Sequence, residues 1–555
     1  MRTLDWIVLV CWLLFTVSYG LYRSRGRQTT HSYLLAGKTM PWYAMGLSIM
    51  ATQASAITFI STTGQSYVDG MRFVQFYFGL PLAMVIICMT AVPIFHRANV
   101  YTAYEYLEQR FDRKTRNLVS IIFLIQRGLG TGLALSAPSL LLSVIFGWPQ
   151  YLAIVVIGAV VITYTTLGGV KAITWSDVQQ MILIFSGLVV SLIMALTLMP
   201  SQVSLMDAIS LGGAAGRLNA VVTKFDWNDR YNVWSGLIGG MFLALAYFGT
   251  DQSQVQRYLT GKSIAQSRLS LLFNAAAKVP MQFFILFIGV MVFVFFIFQR
   301  PPVLFQPADQ RKIAAHPEYA RIQSRFDTAH EQRKNAAFGW IQARRNPESP
   351  AAQSSLESYR NAQKDLDAVR RDAVKLAGGA PDTNYIFLNF VIHYLPAGVV
   401  GLIIAVIFAA SMSVISGEVN ALATVTVMDL YRPLRPHVSD THYLWASRAA
   451  TVFWGVYAIV FSGFGSQLGS LIEAVNIVGS LFYGGMLGIF VLAFFLPRVR
   501  ANAAFCGVLA GEAAIFYCFV FTRISFLWYN VIGCLVVIAV GLLLSRDRES
   551  GRVPL

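Results

Sequence analysis

An all-α polytopic membrane protein is the fold this sequence predicts, and three observations predict it. Of 555 residues, 56% are hydrophobic and only 13% are charged, against roughly 25% charged in an average soluble domain. The charge is also uneven, because 24 of the charged side chains fall between Arg300 and Asp382. Finally, uncharged runs at 150–170, 178–199 and 282–298 approach or reach the ~20 residues that carry a helix across ~30 Å of hydrocarbon.

Read in order, the apolar runs give thirteen spans: 5–22, 42–62, 73–95, 117–146, 150–167, 175–199, 233–256, 269–298, 397–428, 442–463, 466–495, 501–522 and 526–545. The first resembles a signal peptide, but it has no small-residue cleavage site and ends in Tyr22-Arg23-Ser24-Arg25, so it reads as a span. Loops after odd-numbered spans hold Arg23, Arg25, Arg27, Lys38, Arg97, Arg110, Arg113, Lys114, Arg116, Lys171, Arg257, Lys262, Arg268, Arg432, Arg435, Arg498, Arg500, Arg546, Arg548 and Arg552. The opposite loops, outside one long insert, hold only Arg2, Arg72, Arg217, Lys224, Arg230 and Arg523. Positive loops stay inside, so the N-terminus is expected outside and the C-terminus inside. The same alternation explains the net charge of +16 without nucleic acid as a partner. Cys11, Cys88, Cys506, Cys518 and Cys534 lie in apolar stretches without metal-ligand spacing, which argues against a disulfide framework or a zinc site.

The domain reading is a membrane part over 1–299, an extracytoplasmic insert over 300–382, and a second membrane part over 383–555. Long translocated segments ignore the positive-inside bias. The insert reads as two polar helices, 309–345 and 351–377, broken at Asn346-Pro347-Glu348-Ser349-Pro350. A solvated helical hairpin, or an arm that docks a partner, fits its sparse apolar residues. No nucleotide loop, metal cluster or nucleophile motif occurs in it.

Polar residues inside spans carry the functional signal. In the second span Ser48, Thr52, Ser55 and Thr62 follow helical spacing, with Gln53 and Thr58 among them. Such a segment suits a helix that unwinds and offers carbonyl oxygens to a hard cation or polar solute, although hydroxyls also bond back to their own helix. In the ninth span Ser413, Ser416, Asn420 and Thr424 share one face, which serves either cation ligation or close helix packing. The seventh span carries Tyr247, Gly249, Thr250 and Asp251, a second candidate break. Two interrupted helices five elements apart point to inverted five-helix repeats around a midplane site.

A buried charge costs about 2.5–3.5 kcal/mol at a helix centre on insertion scales, so each one implies a partner or a task. Arg127 reads as a packing cation or an anion ligand, and Glu418 as a proton carrier or the partner of a base. Asp177 reads as a solvated helix-start carboxylate or a cation ligand. Glu512 reads as a structural pair. Lys278 and Glu473 are the remaining candidates.

Four motifs then carry a resemblance: YTAYEYLEQRF (101–111), TLGGVKAITWSDVQQ (166–180), DQSQVQRYLTGKS (251–263) and the stretch 395–431, which contains SMSVISGEVNALATVTVMDLY. Together they resemble the sodium/solute symporter family over spans two to eleven, with the insert outside the match. The resemblance implies a leucine-transporter-type 5+5 inverted repeat with extra N- and C-terminal helices, in the plasma or inner membrane. It implies a principal Na+ site at the carbonyls of Ala51, Ala54 and Ala410 and the Ser413 hydroxyl. Val414 departs from that pattern, since the family usually places a second hydroxyl there. In some members a second cation site uses residues matching Asp177, Ser413 and Ser416; here Gly417 replaces the next serine. Weaker sodium binding, a water in place of the lost ligand, and another coupling ion all stay open.

For the solute, the resemblance aligns Tyr247 with an aromatic gate and Lys278 with a solute-binding lysine of sugar-transporting members. The two polar partners those members use are Tyr77 and Ala244 here, which argues against sugar. Gln53, Ser55, Thr58 and Gln75 complete the expected pocket. A retained lysine favours an anion such as a carboxylate, because charge-assisted bonds are roughly twice as strong as neutral ones. The expected function is cation-coupled symport of a small polar or anionic solute by alternating access, with no enzymatic constellation and a monomer sufficient. Proton-coupled or uncoupled transport, a membrane sensor acting through a partner, and a channel are the alternatives. The chain stops about ten residues after its last span, which leaves a sensor no room for a kinase, and it has no repeated filter loop.

Overall fold

The computed structural model describes residues 2–23, 29–345, 351–379, 381–465 and 471–546; their regular structure is helical, with one isolated bridge between Met40 and Gly261. Helix α1 (Thr3–Arg23) precedes a short α2 (Thr30–Leu35), where Thr29 and Ser32 cap each other's backbone. The second expected span is two helices, α3 (Trp42–Gln53) and α4 (Ala56–Asp69). Between them Ala54 leaves helical geometry (φ −88°, ψ 60°), and the Ser55 hydroxyl accepts the Thr58 N–H to start the next helix. A side chain that satisfies an orphan N–H is what makes such a restart stable.

Helices α5 (Leu80–Met89) and α6 (Ala91–Ala98) meet at a kink on Thr90, and α7 (Ala103–Arg110) leads into α8 (Arg113–Phe146). The next two expected spans form one run, α9 (Gln150–Thr197), bent at Gly169. There φ is +60° and an added Cβ would meet the Tyr33 backbone and ring, so only glycine fits. After α10 (Leu205–Ala214) comes the second interrupted element. Helix α11 (Gly240–Gly249) stops at Thr250, and α12 (Gln252–Leu259) restarts with the Asp251 carboxylate accepting the Ser253 N–H. Helix α13 (Ile264–Phe298) completes the first part.

The insert holds α14 (Pro307–Ala314), α15 (Tyr319–Arg345) and α16 (Ala351–Ala377), followed by α17 (Thr383–Tyr394). The first polar helix is therefore split near Pro317, and its expected break at 346–350 lies outside the described residues. Helix α18 (Val399–Val425), α19 (Arg432–Leu434), α20 (Asp440–Gly465), α21 (Leu471–Phe495), α22 (Ala501–Phe521) and α23 (Phe526–Arg546) finish the chain. The expected start of the eleventh span at 466 also lies outside the description. Among the described residues, ten helical stretches are long and apolar enough to cross a membrane.

Helix α18 is the axis of the molecule. Every residue from Ile403 to Val425 is buried, its few polar side chains included, and α18 packs against α1, α8, α9 and α20. The outer ring faces the other way: Leu14 and Phe15 on α1, Phe453 and Val460 on α20, and Val520 and Phe521 on α22 are exposed. Apolar side chains on the perimeter are what a hydrocarbon solvent selects.

The insert is not simply a solvated hairpin. Val303, Leu304, Ile313, Ile322, Phe326, Leu366 and Val369 give it a core of its own. It also grips the membrane part: Arg345 pairs with Asp207 on α10, Arg360 donates to the Ala214 carbonyl at 3.0 Å, and Arg333 donates to the Phe296 carbonyl at the end of α13. Sparse apolar residues suffice because Arg360 and Arg333 use backbone carbonyls that α10 and α13 leave open at their C-terminal ends, while Arg345 meets a carboxylate. His330 sits beside Arg333 and the Phe296 carbonyl, and burial, with that guanidinium, depresses it to about 4.

A histidine held neutral in the folded state contributes its stability above the unfolded value, ~6.5, and loses it as pH falls towards the folded one. The hairpin is therefore expected to loosen between about pH 6.5 and pH 4. Amide exchange along α15 at pH 7 and pH 5 measures this, and His330→Gln should flatten the difference.

Candidate functional site

The two breaks face one cavity. It has a volume of about 140 Å³ and is lined from α3 and α4 by Thr52, Gln53, Ser55 and Thr58, from α11 by Ala244 and Tyr247, and from α18 by Val414 and Glu418. Phe76, Tyr77, Leu80, Leu243 and Ile472 give it apolar walls. The mix of an apolar lining with a few convergent polar groups is that of a small-molecule site.

At the first break, Thr58 Oγ1 donates to the Gln53 carbonyl at 3.0 Å, and Gln53 Nε2 donates to Asn274 Oδ1 at 3.0 Å. Across the break, no backbone N–H among the described residues reaches the carbonyls of Ala51 or Ala54. Such orphan carbonyls at a helix end are oxygen ligands without a partner. Ser413 on α18 lies alongside: its Oγ donates to Asp177 Oδ1 at 2.6 Å, while Ser48 of α3 donates to Asp177 Oδ2 at 2.5 Å. Having given its proton to Asp177, the Ser413 oxygen keeps lone pairs for a cation. Val414 supplies no oxygen and lines the cavity instead.

The cavity floor is an ion-paired quartet. Arg127 of α8 reaches Glu418 at 2.7 Å, Asp251 at the second break, and the Tyr483 hydroxyl at 2.5 Å; Tyr483 donates to Asp251 at 2.9 Å. All four are buried. One guanidinium between two carboxylates leaves a formal charge of −1, so Arg127 is not the free anion ligand that was one expectation; it is the packing cation. Its guanidinium also lies 5.4 Å from the Tyr247 ring centroid, which fixes the expected gate residue. Beyond the quartet, Arg116 of α8, Asp429 in the segment after α18 and Thr102 at the start of α7 close a second buried cluster (Thr102 to Asp429, 2.6 Å).

Other expectations need correction. Gln75 is not in the pocket: it accepts the Val222 N–H at 2.8 Å and donates to the Tyr231 carbonyl at 2.9 Å, so its amide is consumed by the loop before α11. Lys278 stands one layer behind the wall. Its Nζ is 3.4 Å from the Gln53 carbonyl and 5.4 Å from the Tyr77 ring centroid, and it has no ion pair among the described residues. Asp177 is wholly buried rather than solvated. It is paired with Arg257 at 2.7 Å, so a residue counted as a loop base on sequence is an interior one; Arg116 corrects the loop tally in the same way. Glu512 has no ion-pair partner among the described residues; both its oxygens are buried without a hydrogen bond there, and Oε1 lies against Gly485. Glu473 pairs with Arg230 at 2.5 Å.

Asp251 and Tyr483 went unassigned as site residues. Asp251 had a signal, because it follows Gly249 at the second break. Tyr483 had none, since nothing distinguishes it from other aromatics in an apolar span.

The model of the Sodium:solute symporter family matches residues 33–320 and 370–511, passing over most of the hairpin. The sodium-coupled monocarboxylate transporter 1 of Mus musculus is 28% identical over 514 residues, covering 92% of this chain and 72% of its own. The sodium/sialic acid symporter NanT of Aliivibrio fischeri is 28% identical over 546 residues, covering 98% and 92%. Among solved structures, a Na+-coupled sialic acid symporter in a substrate-bound outward-open state superposes with a TM-score of 0.77 at 23% identity, covering 98% of both chains. That likeness shows the fold.

Proposed function

Because this chain belongs to the sodium:solute symporter family, we propose that it couples sodium entry to uptake of a small monocarboxylate by alternating access. In this reading it is a multi-pass protein of the plasma or inner membrane with thirteen crossings, N-terminus outside, built on two inverted five-helix repeats. The observation that carries it is the α3–α4 break beside Ser413. The carbonyls of Ala51, Ala54 and Ala410 and the Ser413 hydroxyl hold the ion, and the donor set fits a hard monovalent cation. Bound there, sodium ties the opened helix to α18 and so favours the state in which the solute pocket is formed. The solute in turn favours sodium, since coupling between two sites is reciprocal. The membrane potential acts only on net charge, about 2.3 kcal/mol per charge at ~100 mV, so one sodium ion entering with one carboxylate anion is driven by the sodium concentration gradient alone.

The solute lies among Gln53, Ser55, Thr58 and Tyr247, with Lys278 as the positive charge behind them. Two features support a carboxylate: Lys278 lacks a counter-ion among the described residues, and the two relatives carry a monocarboxylate and sialic acid. One observation favours proton coupling as the second reading: Glu418 is a buried carboxylate on the cavity wall.

Uptake of labelled short-chain monocarboxylates and sialic acid into proteoliposomes, under a sodium gradient and under choline, separates these readings. Sodium-driven accumulation of a monocarboxylate is expected. Equal uptake in choline, restored by an inward proton gradient, transfers the role to Glu418. Val414→Ser returns one oxygen ligand next to Ser413. A half-saturating sodium concentration lower by roughly tenfold is expected, which corresponds to about 1.4 kcal/mol.

A further inference from the structure

The cluster around Asp177 has the chemistry of a cation site, a carboxylate joined by the hydroxyls of Ser48 and Ser413 with Ser416 one turn along α18. The resemblance left a second cation site open there, with Gly417 as its departure. The structure puts a different cation in that position. Arg257, in the last turn of α12, lies 2.7 Å from Asp177 Oδ2 and donates to Ser48 Oγ as well. Its side chain is as buried as the carboxylate it meets.

Gly417 is what lets it in. A Cβ at 417 would run into Arg257 Nη2. The position that lost its hydroxyl is thus the position whose missing side chain makes room for the guanidinium.

We infer that Arg257 is a tethered replacement for a second co-transported cation, so that this transporter moves one sodium ion per cycle. The inference rests on the sodium-symport reading above. Three physical arguments support it. The single charge of Asp177 is already matched, and a further cation beside it would be an uncompensated buried charge, which is strongly disfavoured. Asp177 Oδ2 already accepts from two donors, Ser48 and Arg257, and so has little left to offer an ion. Arg257 Nε and Nη2 are buried with no acceptor among the described residues, so the guanidinium brings N–H donors, which cannot ligate a metal ion, to a cluster whose remaining acceptors are Asp177 Oδ1 and the Ser413 and Ser416 hydroxyls.

The pair also has mechanical consequences. Arg257 belongs to the second broken element, Asp177 to α9, Ser48 to the first broken element, and Gly417 to α18. A mobile ion there would join these four only while bound. A guanidinium fixed to the chain stays at the site whether or not sodium is bound elsewhere.

Equilibrium binding of ²²Na+ to the purified full chain, with choline holding ionic strength, tests this without knowledge of the solute. One ion per chain is expected. In Arg257→Gln/Gly417→Ser, which removes the tethered charge and returns the hydroxyl, the count should rise by one. Two ions per native chain overturn the inference and leave the sodium reading standing, as does an unchanged count in a monodisperse double variant. If the native chain binds none, the sodium reading of the previous subsection fails, and the double variant still decides here: a gained ion supports the tethered cation and no gain overturns it. Should the double variant fail to fold, the native melting temperature against sodium concentration replaces it. A one-site dependence supports the inference, and a two-site dependence overturns it.

Discussion

Arg127→Met should destabilise the protein by about 3–5 kcal/mol, the cost of removing one partner from a buried ion pair, and should abolish transport. The effect is large because two carboxylates, Asp251 and Glu418, share that guanidinium. Without it the floor of the cavity changes from a formal charge of −1 to −2 in a buried site. The loss should be partly reversed in Arg127→Met/Glu418→Gln, which restores the original charge, and the double-mutant cycle then yields the coupling between the two side chains. Thermal unfolding in detergent reads the stability and proteoliposome uptake reads the function. Full stability in the single variant would show that the quartet contributes little to holding α8, α18 and the second break together.

Lys278→Met should behave in the opposite sense. Lys278 is a buried ammonium with one long hydrogen bond to the Gln53 carbonyl and no ion pair among the described residues. A buried charge without a partner is costly, so an apolar side chain of similar length should leave the melting temperature level or raise it. Uptake of a carboxylate should nevertheless fall by roughly tenfold or more, because a buried positive charge one layer behind the wall attracts an anion through the low-dielectric interior without touching it. A protein that grows more stable while losing its substrate identifies a residue kept for binding. Unchanged uptake in Lys278→Met would remove the lysine from the solute site and leave Gln53, Ser55 and Thr58 to recognise the solute by neutral hydrogen bonds.

The contrast between these two residues also shows what was legible in the sequence. Both breaks were, because they need small, hydroxylated or glycine residues where a spanning helix would be expected to carry leucine: Ala54 and Ser55 at one, Gly249 and Thr250 at the other. The bend at Gly169 falls in the loop expected between spans five and six. Charge alone did not show where a charged residue sits. Arg257 and Arg116 lie at span ends in the sequence and count naturally as loop bases, but their acidic partners are distant along the chain, Asp177 and Asp429. Pairing across such separations is a property of packing that no local window contains. Gln75 failed for the same reason, since the loop that uses up its amide, around 222–231, begins about 150 residues later. The hairpin was read as solvated because its helices are polar; the carbonyls it grips are backbone groups, which composition does not report.

The complete burial of α18 has a consequence for how this protein can diverge. Lipid is a tolerant neighbour, and an exposed side chain such as Phe521 or Val460 can be exchanged for another apolar one at little cost. From Ile403 to Val425 there is no such freedom except at Val414 and Glu418, which line the cavity: the other side chains abut protein, and close-packed interiors register a change of even one methylene. A change at any of those others must be matched by a neighbour, on α1, α8, α9 or α20. Residues that line the cavity, Ser55 and Thr58 at one break, Tyr247 at the other and Val414 on α18, border open space and can vary singly. New specificities in this scaffold should therefore arise first at these cavity-lining positions, with the rest of α18 following only as paired substitutions.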